Sequence, residues 1–481
     1  MAELAKQEKQ TAYYINSFIT VAIMVVFFLL PPLGCITGLG MKVLGVYISM
    51  LYGWSTVGFI WPSFLGIFFL GFSGYDTIPN LINGGFGNPT NVYIFLICLF
   101  AFYVTDSGVS DILVKSVIGR DFAKGKPWVI TWLFFTATYL VGAFVSMTPA
   151  CLLVWSVFVK YCKDIGFQKG DRYPIMVIVG IALSGLMGFS LFPFRPPASA
   201  LVGMITEEGG TVPFVSYVVS AFIMGYGIVM LYWVMCRYVF RPDVELLKKE
   251  YDFGAVGKMT PYQTEISAAT ILLIVLFIIQ SAFSSTQVGQ FLNKFGTSGV
   301  VLGMLMILAF IKKKDGSQFI DIIQGTKLGV IWPVFYMLTV GMTLATALTE
   351  DSVGFKAQMI AWLSPVLGGS GGRVLLLFLC AAIAIITTNF MNNMTSALIV
   401  FSIGILYCEV TGVSPAMMAC LVGVTANVSI VLPSANPIAA VMHGMTDWVT
   451  ARDIYKYSVP IVLIGLIFTV LYSTLLGNLM F

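Results

Sequence analysis

Apolar residues run through this chain in stretches of about twenty, the length a helix needs to cross a bilayer core about 30 Å thick, and short polar segments separate them. The pattern predicts membrane helices near residues 14–36, 41–53, 55–74, 91–114, 173–206, 212–239, 263–285, 297–311, 328–349, 414–446 and 456–480. Two further stretches are too long for one upright helix. No charged residue occurs between Lys126 and Lys160, or between Arg373 and Glu409. Each is interrupted near its middle by polar and helix-breaking residues, Ser146-Met147-Thr148-Pro149 in the first and the run from Thr387 to Ser396 in the second. Both are expected to be re-entrant hairpins that enter and leave on one side.

Flanking charge sets their orientation. The first hairpin lies between Lys115, Arg120, Lys124 and Lys126 on one flank and Lys160, Lys163, Lys169 and Arg172 on the other, which places both flanks in the cytoplasm. Around the second, acids (Glu350, Asp351, Glu409) accompany only Lys356 and Arg373, so that hairpin should open outward. With both assignments the basic loops 237–258, 312–327 and 452–456 fall inside, the N-terminus is cytoplasmic and the C-terminus external.

Each hairpin is followed by another over-long apolar stretch with its own interruption. These are Pro193-Phe194-Arg195-Pro196-Pro197 and Leu432-Pro433-Ser434-Ala435-Asn436-Pro437. The separations from Thr148 to Pro196 and from Met394 to Pro437 are similar, so the same series of elements occurs twice in opposite orientation. An inverted repeat with broken helices is a signature of secondary transporters. Non-helical backbone at membrane depth is costly unless it lines a polar cavity or is buried in protein, so four interruptions imply one central site. Helix N-termini there suit an anion, and freed carbonyls with Asn and Thr side chains suit a hard cation such as sodium.

Composition agrees. Hydrophobic residues make up 58% of the 481 and charged residues 10%, too little charge to give an ordinary soluble enzyme its skin. The net charge of +4 is dispersed, which argues against nucleic acid as a partner and leaves the bilayer and a small anion. Eight cysteines without a CxxC pair and a single histidine, His443, offer no zinc or haem spacing. No HExxH or nucleophile–base pattern suggests an enzyme.

The interruptions resemble those of the divalent anion/sodium symporter family within the ion transporter superfamily. Thr388-Asn389-Phe390-Met391-Asn392-Asn393-Met394 is similar to that family's Thr-Asn-Phe-x-Ser-Asn-Thr, and Leu432-Pro433-Ser434-Ala435-Asn436-Pro437 to its Leu-Pro-x-Ala-Thr-Pro. Ser146-Met147-Thr148 stands for Ser-Asn-Thr and Arg195-Pro196-Pro197 for Thr-Pro-Pro. The resemblance implies an all-α protomer of about eleven membrane helices and two hairpins, a homodimer, and elevator-type transport of a di- or tricarboxylate or sulfate. It divides the chain into scaffold (1–114, 212–349), transport elements (115–211, 350–446) and a C-terminal helix (447–481). Carried across position by position, it implies a sodium site at Thr388, Asn393 and the carbonyls near Met391 and Ala435.

The departures carry as much weight. Met147 is a poor ligand for a hard cation, so one sodium site is expected rather than two, and the Arg195 guanidinium either replaces the lost ion or binds a substrate carboxylate. The alternative is that Arg195 snorkels to the outer interface and pairs with Glu207 or Glu208. Candidate substrate-binding residues are Ser146, Thr148, Arg195, Pro196, Asn392, Asn393, Thr395, Asn436 and Pro437, each of which, as a cap or interhelix hydrogen bond, has a purely structural reading. Asp106 reads as an ion-pair partner of the Asp111–Lys115 region, His443 as an interfacial residue, and Gly368-Gly369-Ser370-Gly371-Gly372 as a linker. The function expected is secondary active transport of a small carboxylate, sodium-coupled or by exchange. A passive anion channel and a carrier of a monocarboxylate or inorganic anion are the alternatives.

Overall fold

The computed structural model describes residues 2–481 apart from 120, 250, 252–257, 283–285, 314–315, 331, 368–370, 391 and 434. It is helical throughout, and among the described residues ten helices are long and apolar enough to cross a membrane. The first six helices are α1 (Ala2–Leu29), α2 (Gly38–Thr56), α3 (Ile60–Phe72), α4 (Ile78–Phe86), α5 (Pro89–Asp106) and α6 (Val109–Ile118). Pro31-Pro32 ends α1 short of the predicted residue 36, because proline offers no amide and restricts the residue before it. The predicted 91–114 helix is two helices: Gly108 adopts φ 73, a left-handed turn that separates α5 from α6. Asp106 is an exposed residue at the C-terminal end of α5.

The first hairpin is α7 (Pro127–Phe144) and α8 (Met147–Ile165), followed by α9 (Arg172–Phe189), α10 (Ala198–Glu207) and α11 (Phe214–Met235). The hairpin turns at Val145 and Ser146, so Met147 and Thr148 belong to the first turn of α8 rather than to the break itself. A connecting group comprises α12 (Pro261–Ala282), α13 (Gln287–Phe310), α14 (Ile322–Gly329) and α15 (Trp332–Thr349). The apolar run predicted from residue 297 extends back to Gln287, with a kink at Gly296. Then come α16 (Phe355–Leu367), the second hairpin α17 (Gly372–Phe390) and α18 (Asn393–Gly404), the short α19 (Cys408–Thr411), α20 (Pro415–Thr425), α21 (Pro437–Gly444) and α22 (Ala451–Met480). The glycines expected to form a linker lie mostly outside the described residues.

Each half is built around one helix that is apolar on every side. In α9 every residue from Tyr173 to Gly188 is buried, and in α20 every residue from Ala416 to Thr425; a helix without a polar face belongs in an interior. Small residues let α7 approach α9 closely: a methyl group on Gly142 would stand 2.5 Å from the Gly185 carbonyl oxygen. By contrast α22 exposes Leu463, Ile467, Leu471, Leu475 and Leu479, a stripe with helical spacing suited to lipid.

The neighbours of each element recur in the two halves. α7 packs on α8 and α9 as α17 packs on α18 and α20. The post-break helices cross over: α10 packs on α20 and α18 of the second half, and α21 on α9 and α8 of the first. α11 and α22 lie against each other, each also touching the buried helix of the opposite half. Around this unit, α15 packs on α2, α3 and α4, while α5 packs on α12, α13 and α14.

Candidate functional site

Each of the four interruptions lies between a helix end and a helix start. α7, α9, α17 and α20 stop at them, and α8, α10, α18 and α21 start from them. The junction between halves is tight: a Cβ on Gly423, near the end of α20, would stand 3.4 Å from that of Ala198, the first residue of α10.

In the first half the bond between hairpin and break is made by a cation. Arg195 is 8% exposed; its Nη1 donates to the Val145 carbonyl at 2.9 Å and its Nη2 to that of Ala143 at 3.3 Å. Both acceptors are at the C-terminal end of α7, where unsatisfied carbonyls concentrate negative potential. The guanidinium also lies 5.5 Å from the Phe189 ring centroid and 6.0 Å from that of Phe194. Its Nε is buried without a hydrogen-bond partner. The snorkelling alternative is therefore corrected: Arg195 points into the hairpin, and Glu207 instead accepts from Asn88 and Thr346. Pro196 follows with a cis bond to Pro197. Ser146, at the N-cap position of α8 with no side-chain cap bond, and Thr148 are half-buried.

In the second half the same junction is neutral. The single Thr388 hydroxyl proton is shared between the Ala426 carbonyl at 2.5 Å and Asn393 Oδ1 at 3.0 Å, and Asn393 Nδ2 donates to Asn427 Oδ1 at 3.0 Å. Asn389 donates to the Ile385 carbonyl at 2.8 Å and the Val428 carbonyl at 3.1 Å, and accepts from the Val431 amide at 2.9 Å. Amides thus take the place of helical partners across an unwound segment, which satisfies backbone groups that lipid cannot.

The predicted residues divide. Thr388 and Asn393 come together, joined by a hydrogen bond between their side chains. Ala435 is bonded within its own loop, its amide to the Leu432 carbonyl, and Met391 lies outside the described residues. Asn392 caps α18 by accepting from the Met394 amide, and Asn436 caps α21 by accepting from the Ala439 amide, with Pro437 as first residue of that helix. Thr395 faces Met337 Sδ at 3.4 Å. His443 Nε2 lies 3.0 Å from the Val431 carbonyl, against the second break. Asn389 and Asn427 hold the junction together but were not among the predicted residues. Asn427 lies between Thr425 and Ser429 just before the second proline break, a polar clustering in a charge-free run like the one that drew attention to Asn393.

A cleft adjoins Arg195. It is lined by Ile97, Phe100, Ala101 and Val104 of α5, Ala143 and Phe144 of α7, Phe192 and Phe194 of the first break, and Thr270, Leu273 and Ile274 of α12. Thr270 spends its hydroxyl proton on the Ile266 carbonyl at 2.8 Å.

Residues 17–314 match the model of a family described as citrate transporters. An uncharacterized transporter of Methanocaldococcus jannaschii is 21% identical over 356 residues, 73% of this chain and 75% of that protein. Among solved structures, the Alcanivorax borkumensis YdaH transporter superposes with a TM-score of 0.57 at 15% identity, covering 82% of this chain and 87% of that one. Neisseria gonorrhoeae MtrF, described as illuminating a class of antimetabolite efflux pumps, superposes with a TM-score of 0.54 at 10% identity, covering 96% and 94%. At these identities the likeness shows a shared fold.

Proposed function

Since the chain belongs to the citrate transporter family, we propose that it is a secondary active transporter whose binding centre lies where the four helix interruptions meet, and that its substrate is a small carboxylate. The observation that carries this reading is that the interruptions are tied to one another inside a multi-pass membrane protein, Arg195 to the first hairpin tip, Asn389 and Asn393 to the second break, and Gly423 against Ala198 between the two breaks. Helix starts present unpaired N–H groups and favour an anion; helix ends present unpaired carbonyls and favour a cation. A site with both is suited to taking up a carboxylate together with a coupling ion.

The roles follow from the chemistry of each half. Ser146, Thr148, Asn392 and Thr395 supply hydroxyl and amide groups beside the helix starts, with Pro196, Asn436 and Pro437 shaping the turns. Thr388 and Asn393, with the carbonyls near Met391 and Ala435, hold one sodium ion in the second half. In the first half Arg195 already supplies the positive charge, so no second ion is needed there. The recurring pattern of neighbours supports a duplication, and the flanking charges support opposite orientations, with both hairpins re-entrant. On that reading segments 115–211 and 350–446 move together against the remaining helices in an elevator-type cycle, within a homodimer.

Uptake of labelled citrate into proteoliposomes, with and without a sodium gradient and with counter-substrate inside, tests this reading. Saturable flux that depends on sodium or on counter-substrate is the expected result. Flux that rises linearly with concentration and ignores both would make the protein a passive channel.

A further inference from the structure

We propose that the outer seam between α7 and α11 holds an anionic phospholipid, its phosphate bound by Arg237 and Arg241 and one acyl chain lying along the aromatic side chains that run up the seam from them. This site is separate from the junction of the interruptions and does not depend on which solute is carried.

The close of α11 builds the cationic end. Past Met235 the helix widens into a π turn, Cys236–Phe240, and Arg241 ends it with φ 46. The exposed Arg237 guanidinium lies 5.7 Å from the Trp233 ring centroid and 5.1 Å from that of Tyr238. Ring faces hold a guanidinium by its plane and leave its N–H edge for an anion. Among the described residues Arg237 donates no hydrogen bond and has no ion pair; of the acids that follow it, Glu245 pairs with Lys248 at 2.6 Å and Asp243 accepts the Glu245 amide at 3.0 Å. Arg241 donates Nε to the Tyr238 carbonyl at 2.7 Å, so its two terminal nitrogens face outward uncommitted. Lys126, exposed at the N-cap position of α7, adds positive charge on the other side of the seam. It stands two residues before Trp128, whose carbonyl accepts from Trp233 Nε1 at 2.9 Å.

The apolar track starts at the same place. Trp132 of α7 donates to the Tyr226 hydroxyl of α11 at 2.9 Å, and Phe222 stacks on Tyr226 with ring centroids 5.2 Å apart. Val219, Phe222 and Val234 are exposed and Tyr226 is half-buried, at spacings of three or four residues that put them on the face of α11 that Arg237 continues. Trp and Tyr of this kind sit at headgroup level, with lipid tails beyond them. A free phosphate would use the arginines alone, whereas a phospholipid uses both ends of the seam. Charge selects its class: each Lys or Arg near the surface contributes about 1 kcal/mol toward an anionic headgroup, and the arginines oppose the cationic group of a zwitterionic one. Seated there, the lipid joins the end of α11 to the start of the first hairpin.

The experiment melts the full-length protein in neutral detergent with added dioleoyl phosphatidylglycerol, dioleoyl phosphatidylcholine or soluble glycerol 3-phosphate, and counts retained lipid by native mass spectrometry. Phosphatidylglycerol should raise Tm and be retained at concentrations where the other two do neither. Both arginines are exposed, so Arg237→Gln/Arg241→Gln should melt with wild type when no lipid is added, yet need about tenfold or more phosphatidylglycerol for half of the Tm shift. Arg237→Lys/Arg241→Lys keeps the charge without the fork and should recover part of that loss. Lys312→Gln/Lys313→Gln, which removes two charges from another basic loop, should leave the wild-type response. Equal shifts with phosphatidylglycerol and phosphatidylcholine, an unchanged response in Arg237→Gln/Arg241→Gln, or an equal loss in the Lys312 and Lys313 variant would each overturn the site. Glycerol 3-phosphate matching phosphatidylglycerol would overturn the lipid in favour of a soluble phosphate.

Discussion

Arg195 Nη1 lies 2.9 Å from the carbonyl oxygen of Val145, so a charged side chain from the first break closes the tip of the hairpin that precedes it. The equivalent junction in the second half, between Asn389 and the carbonyl of Val428 at 3.1 Å, is uncharged. The two halves therefore solve one problem, anchoring a hairpin tip to an unwound helix, with different chemistry.

Replacing Arg195 with Gln removes the charge and shortens the reach to Ala143 and Val145. Transport is expected to fall at least about tenfold, and the thermal midpoint should drop with the loss of about 1–3 kcal/mol of hydrogen bonding. Arg195→Lys keeps the charge but not the fork, so it should recover part of the stability and little of the transport. Wild-type kinetics in both variants would remove Arg195 from the site.

Asn389→Ala leaves the Val428 carbonyl and the Val431 amide without their side-chain partner. A loss of about 1–3 kcal/mol is expected, read as a lower unfolding temperature in detergent. Asn389→Asp should behave as badly, because a carboxylate still accepts from Val431 but cannot donate to Val428.

Coupling should be sensitive to the second half alone. Asn393→Leu and Thr388→Val are expected to raise the sodium concentration for half-maximal uptake about tenfold or more, since hard oxygens are lost. Variants at Ser146 or Thr148 should change substrate affinity and leave sodium dependence where it was. Sodium titration of uptake separates these outcomes.

Gly142→Leu tests the close approach of α7 and α9, where even a methyl group would stand 2.5 Å from the Gly185 carbonyl. The helices must part, at a cost of about 1–3 kcal/mol or more. The variant should express poorly or melt early, and a Leu placed instead at lipid-facing Val219 should do neither.

Much of this arrangement was legible in the sequence, because each signal was physical. Charge-free runs longer than one span marked the helix pairs α7–α8 and α17–α18, and Pro196 and Pro437 marked the interruptions before α10 and α21. Arg195 was visible as a charge where lipid tolerates none. What it touches was not visible, since its partners Val145 and Ala143 contribute only backbone, and any residue offers a carbonyl. Helix limits were missed where one glycine decided them, as at Gly108, whose left-handed conformation has no counterpart in hydropathy. Asn389 lay inside the quoted motif but its role depends on Val428 and Val431, which only folding brings near.

The crossing of α10 onto α20 and of α21 onto α9 makes each half a tenant of the other's walls. A fragment ending before α16 would lack the surface that α10 closes against, and the complementary fragment would lack the one that α21 needs. Expressed separately, the two pieces would have to find each other before either could hold a solute, so the binding centre belongs to the pairing and to neither piece alone.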